Sequence, residues 1–246
     1  MAVFAIADLH LSFGVPEKSM EFFGEPWIGY LEKIERNWRL KVREGDLVLI
    51  AGDISWAMRE KEVLKDLEWI ESLPGTKVMI RGNHDYWWSS ISKVRSLLPP
   101  SIRVIQNDAF HIGEYAIGGT RLFDSSEYQF GEFIVYKENV RENKILKTQV
   151  PDEVLFKREL ERLTLSLKML DPKAPHKIVM VHYPPIGADL ASSRVSSLLE
   201  SYGVKMCIFG HLHNVRPDSL PFGERSGVRY LLTSCDYLNF DLVKIY

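Results

Sequence analysis

The chain alternates short, strongly apolar runs with longer stretches whose apolar residues recur every three or four positions. Five of the short runs are VFAIA at 3–7, LVLIA at 47–51, KVMIR at 77–81, KIVMV at 177–181 and KMCIF at 205–209. Runs this short, rich in Val and Ile and bounded by Gly or Asp, predict strands buried on both faces. Helical spacing fills the gaps. Residues 27–43 carry Ile28, Leu31, Ile34, Trp38 and Val42 at that spacing, and 59–73 carry Val63, Leu64, Leu67 and Ile70. A third helix spans about 89–98 and stops at Pro99-Pro100. Strand and helix in alternation predict a parallel sheet for this half.

The pattern changes in the middle. IRVIQ and FHIGEYAIGG read as short strands, with Gly113-Glu114 as a two-residue hairpin turn. Residues 121–151 are polar, charged and poorly periodic, which predicts an insertion or lid lying over a crevice. Residues 152–170 then form an amphipathic helix with Leu155, Phe156, Leu160, Leu163 and Leu167 inward. Strand, helix (about 192–202) and strand follow, and VRYLLTS and FDLVKIY close the chain as β-like runs. No repeat, low-complexity tract or linker divides it, so 1–246 is expected to be one domain carrying the polar insertion.

Bulk properties narrow the picture slightly. A chain of 246 residues buries a large core easily, and its net charge of −2 lacks the basic surplus of a general nucleic-acid binder. The apolar run at the N-terminus is too short for a signal sequence or a membrane span, and no other stretch is long enough. Cys207 sits mid-strand as a buried, inert thiol, and Cys235 is the only other cysteine. These features point to a cytoplasmic protein without a membrane partner.

The chemistry lies where the strands end. The five runs are followed by Asp8-Leu9-His10, Gly52-Asp53, Gly82-Asn83-His84-Asp85, His182 and Gly210-His211-Leu212-His213, so five of the seven histidines sit at these ends. In open α/β sheets, sites form in the crevice outside the carboxyl ends of strands. Asp8 and His10, like His211 and His213, are two apart, so on extended backbone each pair faces one side. Asp8, His10, Asp53, Asn83, His182, His211 and His213 exceed the needs of one tetrahedral zinc site and include no thiolate. Imidazole, carboxylate and amide oxygen together suit Mn, Fe, Co or Zn. Asp53, a lone carboxylate, is the natural bridge between two ions. Two ions about 3.5–4 Å apart form a recurring clamp for in-line displacement at phosphorus. His84 is surplus to the ligands and available to protonate a leaving oxygen, with Asp85 to orient it. Arg81 offers a planar fork to a phosphate oxygen.

The ordered set D-x-H, G-D, G-N-H-D, H and G-H-x-H, running from Asp8 to His213, resembles the calcineurin-like metallophosphoesterase superfamily, in the form shared with class III cyclic-nucleotide phosphodiesterases. The resemblance implies an α/β (α+β) fold, a four-layer α-β-β-α sandwich of two mixed sheets. It implies two divalent or mixed-valence metal ions, one held by Asp8, His10, Asp53 and His213, the other by Asp53, Asn83, His182 and His211. It also implies that His84 is the general acid or transition-state stabiliser with Asp85 as its partner, and that a metal-bridging hydroxide attacks a small phosphate mono- or diester in line.

Taken singly, a strand-end Asp is a turn former or helix cap and a lone His an ordinary packed or surface residue. Seven such residues in one order do not fit that reading. His111 and His176, outside the blocks, do. Tyr86, Trp87 and Trp88 are either an aromatic wall for a planar group or core packing, and Trp56 leans to packing. Arg121, after Gly118-Gly119-Thr120 at a predicted strand end, is placed near the crevice. The motif set is shared by monoesterases, protein phosphatases, diesterases and nucleases. A metal-free interaction scaffold is the rival from another class, and the complete ligand set argues against it.

Overall fold

Every predicted strand forms, and the strands divide into two sheets. The computed structural model describes residues 1–135, 151–216 and 222–246. The first sheet contains β1 (Val3–Ile6), β2 (Leu47–Ile50), β3 (Thr76–Met79) and β4 (Ile102–Val104), all parallel, with β11 (Val243–Lys244) antiparallel on the free edge of β1. The second has the order β5 (Ala109–Ile112), β6 (Tyr115–Thr120), β7 (His176–Val181), β8 (Met206–Phe209), β10 (Val228–Leu232) and β9 (Glu224–Arg225). Its four inner strands are parallel, and β5 and β9 are antiparallel edges. The VRYLL run pairs parallel with β8. The Gly113-Glu114 turn connects β5 and β6 as expected.

Alternating side chains of each strand enter different cores, because successive residues point to opposite faces. Val3, Ala5, Leu47, Leu49, Val78, Ile178, Met180, Met206 and Ile208 face inward and fill the space between the sheets. On the outer face of the first sheet pack α1 (Tyr30–Lys41), α2 (Glu60–Glu71) and α3 (Ile91–Leu97), through residues such as Ile34, Trp38, Val63, Leu67, Ile70 and Val94. On the outer face of the second lie α4 (Glu153–Lys168) and α5 (Arg194–Ser201), through Phe156, Leu163, Leu167, Val195 and Leu199. The layers run α-β-β-α, the expected sandwich.

Local signals set the helix ends. Asp152 caps α4 by accepting from Val154 N and Leu155 N, and Ser193 and Ser196 cap α5 reciprocally. Two residues expected inward are not: Ile28 precedes α1 and Leu64 lies on the flank of α2, and both are exposed. No helix among the described residues is long and apolar enough to cross a membrane.

Part of the expected insertion is tied down. Ile134 bridges to Val215, with Val135 N donating to Asn214 O at 2.8 Å and Arg216 N to Phe133 O at 2.8 Å. The Tyr128 hydroxyl donates to Pro184 O at 2.6 Å. These bonds place 121–135 beside the loops that follow β7 and β8. The remainder of the expected lid, 136–150, lies outside the described residues.

Candidate metal centre

The strand ends of both sheets meet at one edge of the sandwich and bring the candidate ligands together. His10 Nε2 lies 3.2 Å from His213 Nε2, across 203 positions of chain. Asn83 Oδ1 is 2.7 Å from His182 Nε2 and 3.0 Å from His211 Nδ1. Asp53 Oδ2 faces His182 Nε2 at 3.5 Å and His10 Nε2 at 3.8 Å, and Asp8 Oδ1 is 3.8 Å from His213 Nε2. Among the described residues, two groups have ligand atoms close enough to share an ion: Asp8, His10 and His213, and Asp8, Asp53 and His182. Asp8 belongs to both groups, and Asp53 faces a histidine of each.

The backbone achieves this by turning, not by strand alternation. Asp8, His10, Asp53 and His211 have φ of 59°, 45°, 51° and 73°, in the left-handed region. The expectation that each D-x-H or H-x-H pair shares a face of extended backbone is therefore incorrect. Asp, Asn and His tolerate this conformation better than branched residues do, and strain of this kind clusters at functional sites. Hydrogen bonds from neighbouring elements hold it. Asp8 N donates to Gly52 O and His10 N to Asp53 O, each at 3.0 Å. The Tyr30 hydroxyl donates to His10 O at 2.8 Å, and the Cys235 thiol to Asp8 O at 3.0 Å.

Two glycines are required by close approach. A Cβ at Gly82 would sit 2.1 Å from Asp53 Oδ1, and one at Gly210 would sit 2.4 Å from Asp8 Oδ2. No real side-chain carbon fits at those distances, so glycine before Asn83 and before His211 lets the loops close on the carboxylates.

Second contacts select the nitrogen that each ring presents. His182 Nδ1 bonds Ala51 O at 3.0 Å and His213 Nδ1 bonds Asp236 Oδ1 at 2.9 Å, so both rings turn Nε2 inward. Asp236 also accepts from Asn214 N at 2.9 Å. Asp236 was missed on sequence, although it follows VRYLLTSC, a sixth apolar run ending in an acid. The electrostatics are those of a crowded donor set. Burial pushes the Asp8 carboxyl up to about 6 against the pull of His213 and His182. Burial also pulls His10 down to about 3, only partly opposed by Asp53. Burial acts the same way on His182, but the Asp53 and Asp8 carboxylates outweigh it and raise it to about 9. Buried His10 Nδ1 has no partner among the described residues. Convergent imidazole nitrogens and carboxylate and amide oxygens, with no thiolate, fit a pair of borderline or hard cations.

His84 and Asp85 are arranged differently from expectation. Asp85 does not orient His84. Its Oδ1 accepts from Ile54 N (2.9 Å), Ser55 N (3.1 Å) and Trp87 Nε1 (3.0 Å), and its Oδ2 from Gly82 N (2.8 Å). The carboxylate is committed to joining the β2 and β3 loops, because four converging N–H donors outcompete one imidazole. His84 Nδ1 is buried without a partner among the described residues, while His84 N donates to Asp53 Oδ1 at 2.8 Å. The His84 ring lies 4.6 Å from the Trp56 ring, and Trp56 stacks on His10 at 4.8 Å with 21° between planes. Trp56, expected to pack, thus packs against the site itself. Trp87 and Trp88 do not form an aromatic wall: both are buried in the core under the first sheet, and only Tyr86 is exposed.

Arg121 flanks the His182 side, and Arg81, half-buried after β3, has an Nε without a partner among the described residues. Arg121 O accepts from His182 N at 3.1 Å and Tyr183 N at 3.0 Å, which brings Arg121 to the site as expected. His111 and His176 are ordinary: His111 Nε2 accepts from Asp171 N at 3.1 Å, and the His176 ring sits between Tyr115 and Tyr246.

Residues 1–215 match the family model described as calcineurin-like phosphoesterase. The chain belongs to the calcineurin-like phosphoesterase family. Among solved structures, the phosphopantetheinyl hydrolase of Mycobacterium tuberculosis superposes with a TM-score of 0.50 at 14% identity, over 95% of this chain and 88% of that one. A protein of unknown function from Aquifex aeolicus, AQ665, gives a TM-score of 0.49 at 13% identity, over 99% of this chain and 95% of that one. No curated protein matches the chain. This member of the family has the α/β fold of two mixed sheets flanked by helices, with buried Asp and His clusters fit for a dinuclear site.

Proposed function

We propose that this calcineurin-like phosphoesterase hydrolyses a phosphate mono- or diester at a dinuclear metal centre. One observation carries the reading: Asp8, His10, Asp53, Asn83, His182, His211 and His213 arrive from five strand ends in two sheets, and their donor atoms converge. Asp8, His10, Asp53 and His213 would hold one ion, and Asp53, Asn83, His182 and His211 the other. Asp53 would bridge, as its position between His10 and His182 supports. A pair of ions held by these residues would supply an activated water as nucleophile and neutralise charge on phosphoryl oxygens.

The chain's own groups do the rest. Asp236 and Ala51 O hold His213 and His182 in the tautomers that present Nε2. His84 carries no ligand duty in either group and rests against Trp56, free to act on the leaving oxygen. Burial lowers its pKa, against the Asp53 carboxylate, which raises it. Asp85 serves by fixing the loop that carries Asn83 and His84. Arg81 would contact a phosphate oxygen.

The test has two arms. Purified protein reconstituted with Mn, Fe, Zn or Co is expected to bind two equivalents, and Asp53→Ala to lose both metal and turnover. A panel of a nitrophenyl monoester, a bis-nitrophenyl diester, cyclic nucleotides and phosphopeptides then sorts the substrate classes. Stable exclusion of metal, or turnover that survives Asp53→Ala, refutes the proposal.

A further inference from the structure

Among the described residues, no hydrogen bond orients the His84 ring. Its Nδ1 is buried without a partner, and no carboxylate lies within ion-pair distance of either ring nitrogen. Asp53 accepts from the His84 backbone N–H, not from the ring. The neighbouring Asp85 carboxylate is taken by four N–H donors. An imidazole at a site usually owes its angle to a bond on its second nitrogen, as His182 does to Ala51 O and His213 to Asp236. Without that bond the ring has little torsional preference of its own, since the Cβ–Cγ torsion of histidine is broad. Packing must then set the angle of His84.

Three rings meet it. Trp56 lies at 4.6 Å with 51° between planes, His10 at 5.8 Å with 61°, and Tyr86 at 6.1 Å with 77°. Trp56 also stacks on His10 at 4.8 Å and 21°, so Trp56, His10 and His84 form a closed triangle of ring contacts. Tyr86 is exposed and His10 is a candidate ligand, which leaves Trp56 as the nearest face with no other duty. Its backbone is pinned on every side. Trp56 N donates to Leu11 O at 2.9 Å, and Lys18 Nζ donates to Trp56 O at 3.3 Å. Before it, Ser55 N donates to Asp85 Oδ1 at 3.1 Å, and the Ser55 hydroxyl donates to buried Asp66, which reaches in from α2 and accepts from Phe13 N at 2.8 Å. After it, Ala57 N donates to Ser55 Oγ at 3.0 Å. The indole Nε1 is buried with no partner among the described residues, so the ring offers His84 shape and not a hydrogen bond.

We infer that Trp56 is a positioning residue for His84, doing by packing what a carboxylate would do by hydrogen bonding, on a mount made by Ser55 and Asp66. The inference rests on the phosphoesterase reading and goes beyond it. Leaving-group dependence separates this role from simple support of the fold. The probes are phenyl and 4-nitrophenyl phosphate and the corresponding thymidine 5′-diesters, assayed at saturating metal because the same ring stacks on His10. For the pair that is turned over, Trp56→Leu is expected to lower kcat on the phenyl ester about 10–100-fold and to change KM less than about threefold. The nitrophenyl ester, whose leaving group needs little protonation, is expected to lose less than about threefold. Trp56→Phe, which restores a flat face, is expected to recover most of the loss. Ser55→Ala, which frees the mount and spares the ring, is expected to show the same pattern more weakly. Adding Trp56→Leu to His84→Ala is expected to cost nothing further. Equal losses on both esters, or full additivity with His84→Ala, overturn the inference. A readout without catalysis uses metal-free protein with ring-labelled histidine, the His84 signal being identified by its absence in His84→Ala. That signal is expected to move towards the position of free histidine in Trp56→Leu and to return in Trp56→Phe, with folding of each variant checked by thermal unfolding. An unmoved signal overturns the inference. Absence of turnover of all four esters, with the His84 signal still dependent on Trp56, overturns the phosphoesterase reading and leaves the positioning of His84 standing.

Discussion

Replacing Trp87 with alanine separates a structural residue from a substrate-binding one. Trp87 is 1% exposed and packs in the core between the first sheet and its helices, with the Trp88 ring 5.2 Å away. Truncating a buried tryptophan leaves a cavity that neighbours fill only partly, which costs about 3–5 kcal/mol. The lost bond from Trp87 Nε1 to Asp85 adds little, about 1 kcal/mol, because Asp85 Oδ1 keeps Ile54 N and Ser55 N as donors. For a chain of this size each kcal/mol lowers Tm by roughly 2–4 °C, so the midpoint is expected to fall by roughly 8–24 °C. Tyr86→Ala is the control. Tyr86 is 51% exposed, and its removal is expected to change stability by no more than about 0.5 kcal/mol. Thermal and guanidinium unfolding of both variants measure this. Steady-state kinetics on a nucleotide-like ester and a small nitrophenyl ester then give the decisive comparison. In Trp87→Ala, both rates are expected to fall together once the folded fraction is taken into account. A Trp87→Ala protein with wild-type Tm and a defect confined to the nucleotide-like ester would refute the reasoning and return the ring to the site.

Other expectations follow from the same geometry. His84→Ala is expected to retain its metal and to lose roughly 10²–10⁴-fold in turnover, less for esters with acidic leaving groups, and metal loss in this variant would place His84 among the ligands. Asp236→Asn weakens the acceptor that orients His213, so a titration with Mn or Zn should show affinity reduced by about 10–100-fold, and unchanged affinity would dismiss its role. Asp66 gives a pH dependence away from the metals. Burial raises its pKa from 3.8 to about 6, against the Ser55 hydroxyl and the Phe13 and Gly14 N–H groups, so its stabilising contribution is complete below about pH 4 and is lost as pH rises through 6. Relative to Asp66→Asn, the wild type is therefore expected to lose up to about 3 kcal/mol between pH 4 and pH 7 by denaturant unfolding, and parallel curves for the two proteins would contradict it.

The strands, the helices and the seven candidate ligands were legible in the linear pattern, because buried parallel strands are short apolar runs and a site at their carboxyl ends places its polar residues directly after them. The amphipathic spacing of α4, with Phe156, Leu163 and Leu167 inward, is equally local. Other features depend on distance along the chain. Partition of the strands into two sheets, and the parallel pairing of β10 with β8, is decided by which faces can be buried together, and neither strand encodes that alone. The left-handed backbone at Asp8, His10, Asp53 and His211 is stabilised by partners up to 227 positions away, as the Cys235–Asp8 bond shows. Asp85 stands beside His84 in sequence, yet its carboxylate turns to four N–H donors supplied by folding. Trp87 and Trp88 follow the motif, yet their large apolar surface is removed from water into the core. Sequence places chemical groups at element ends, but their direction and company depend on packing between elements.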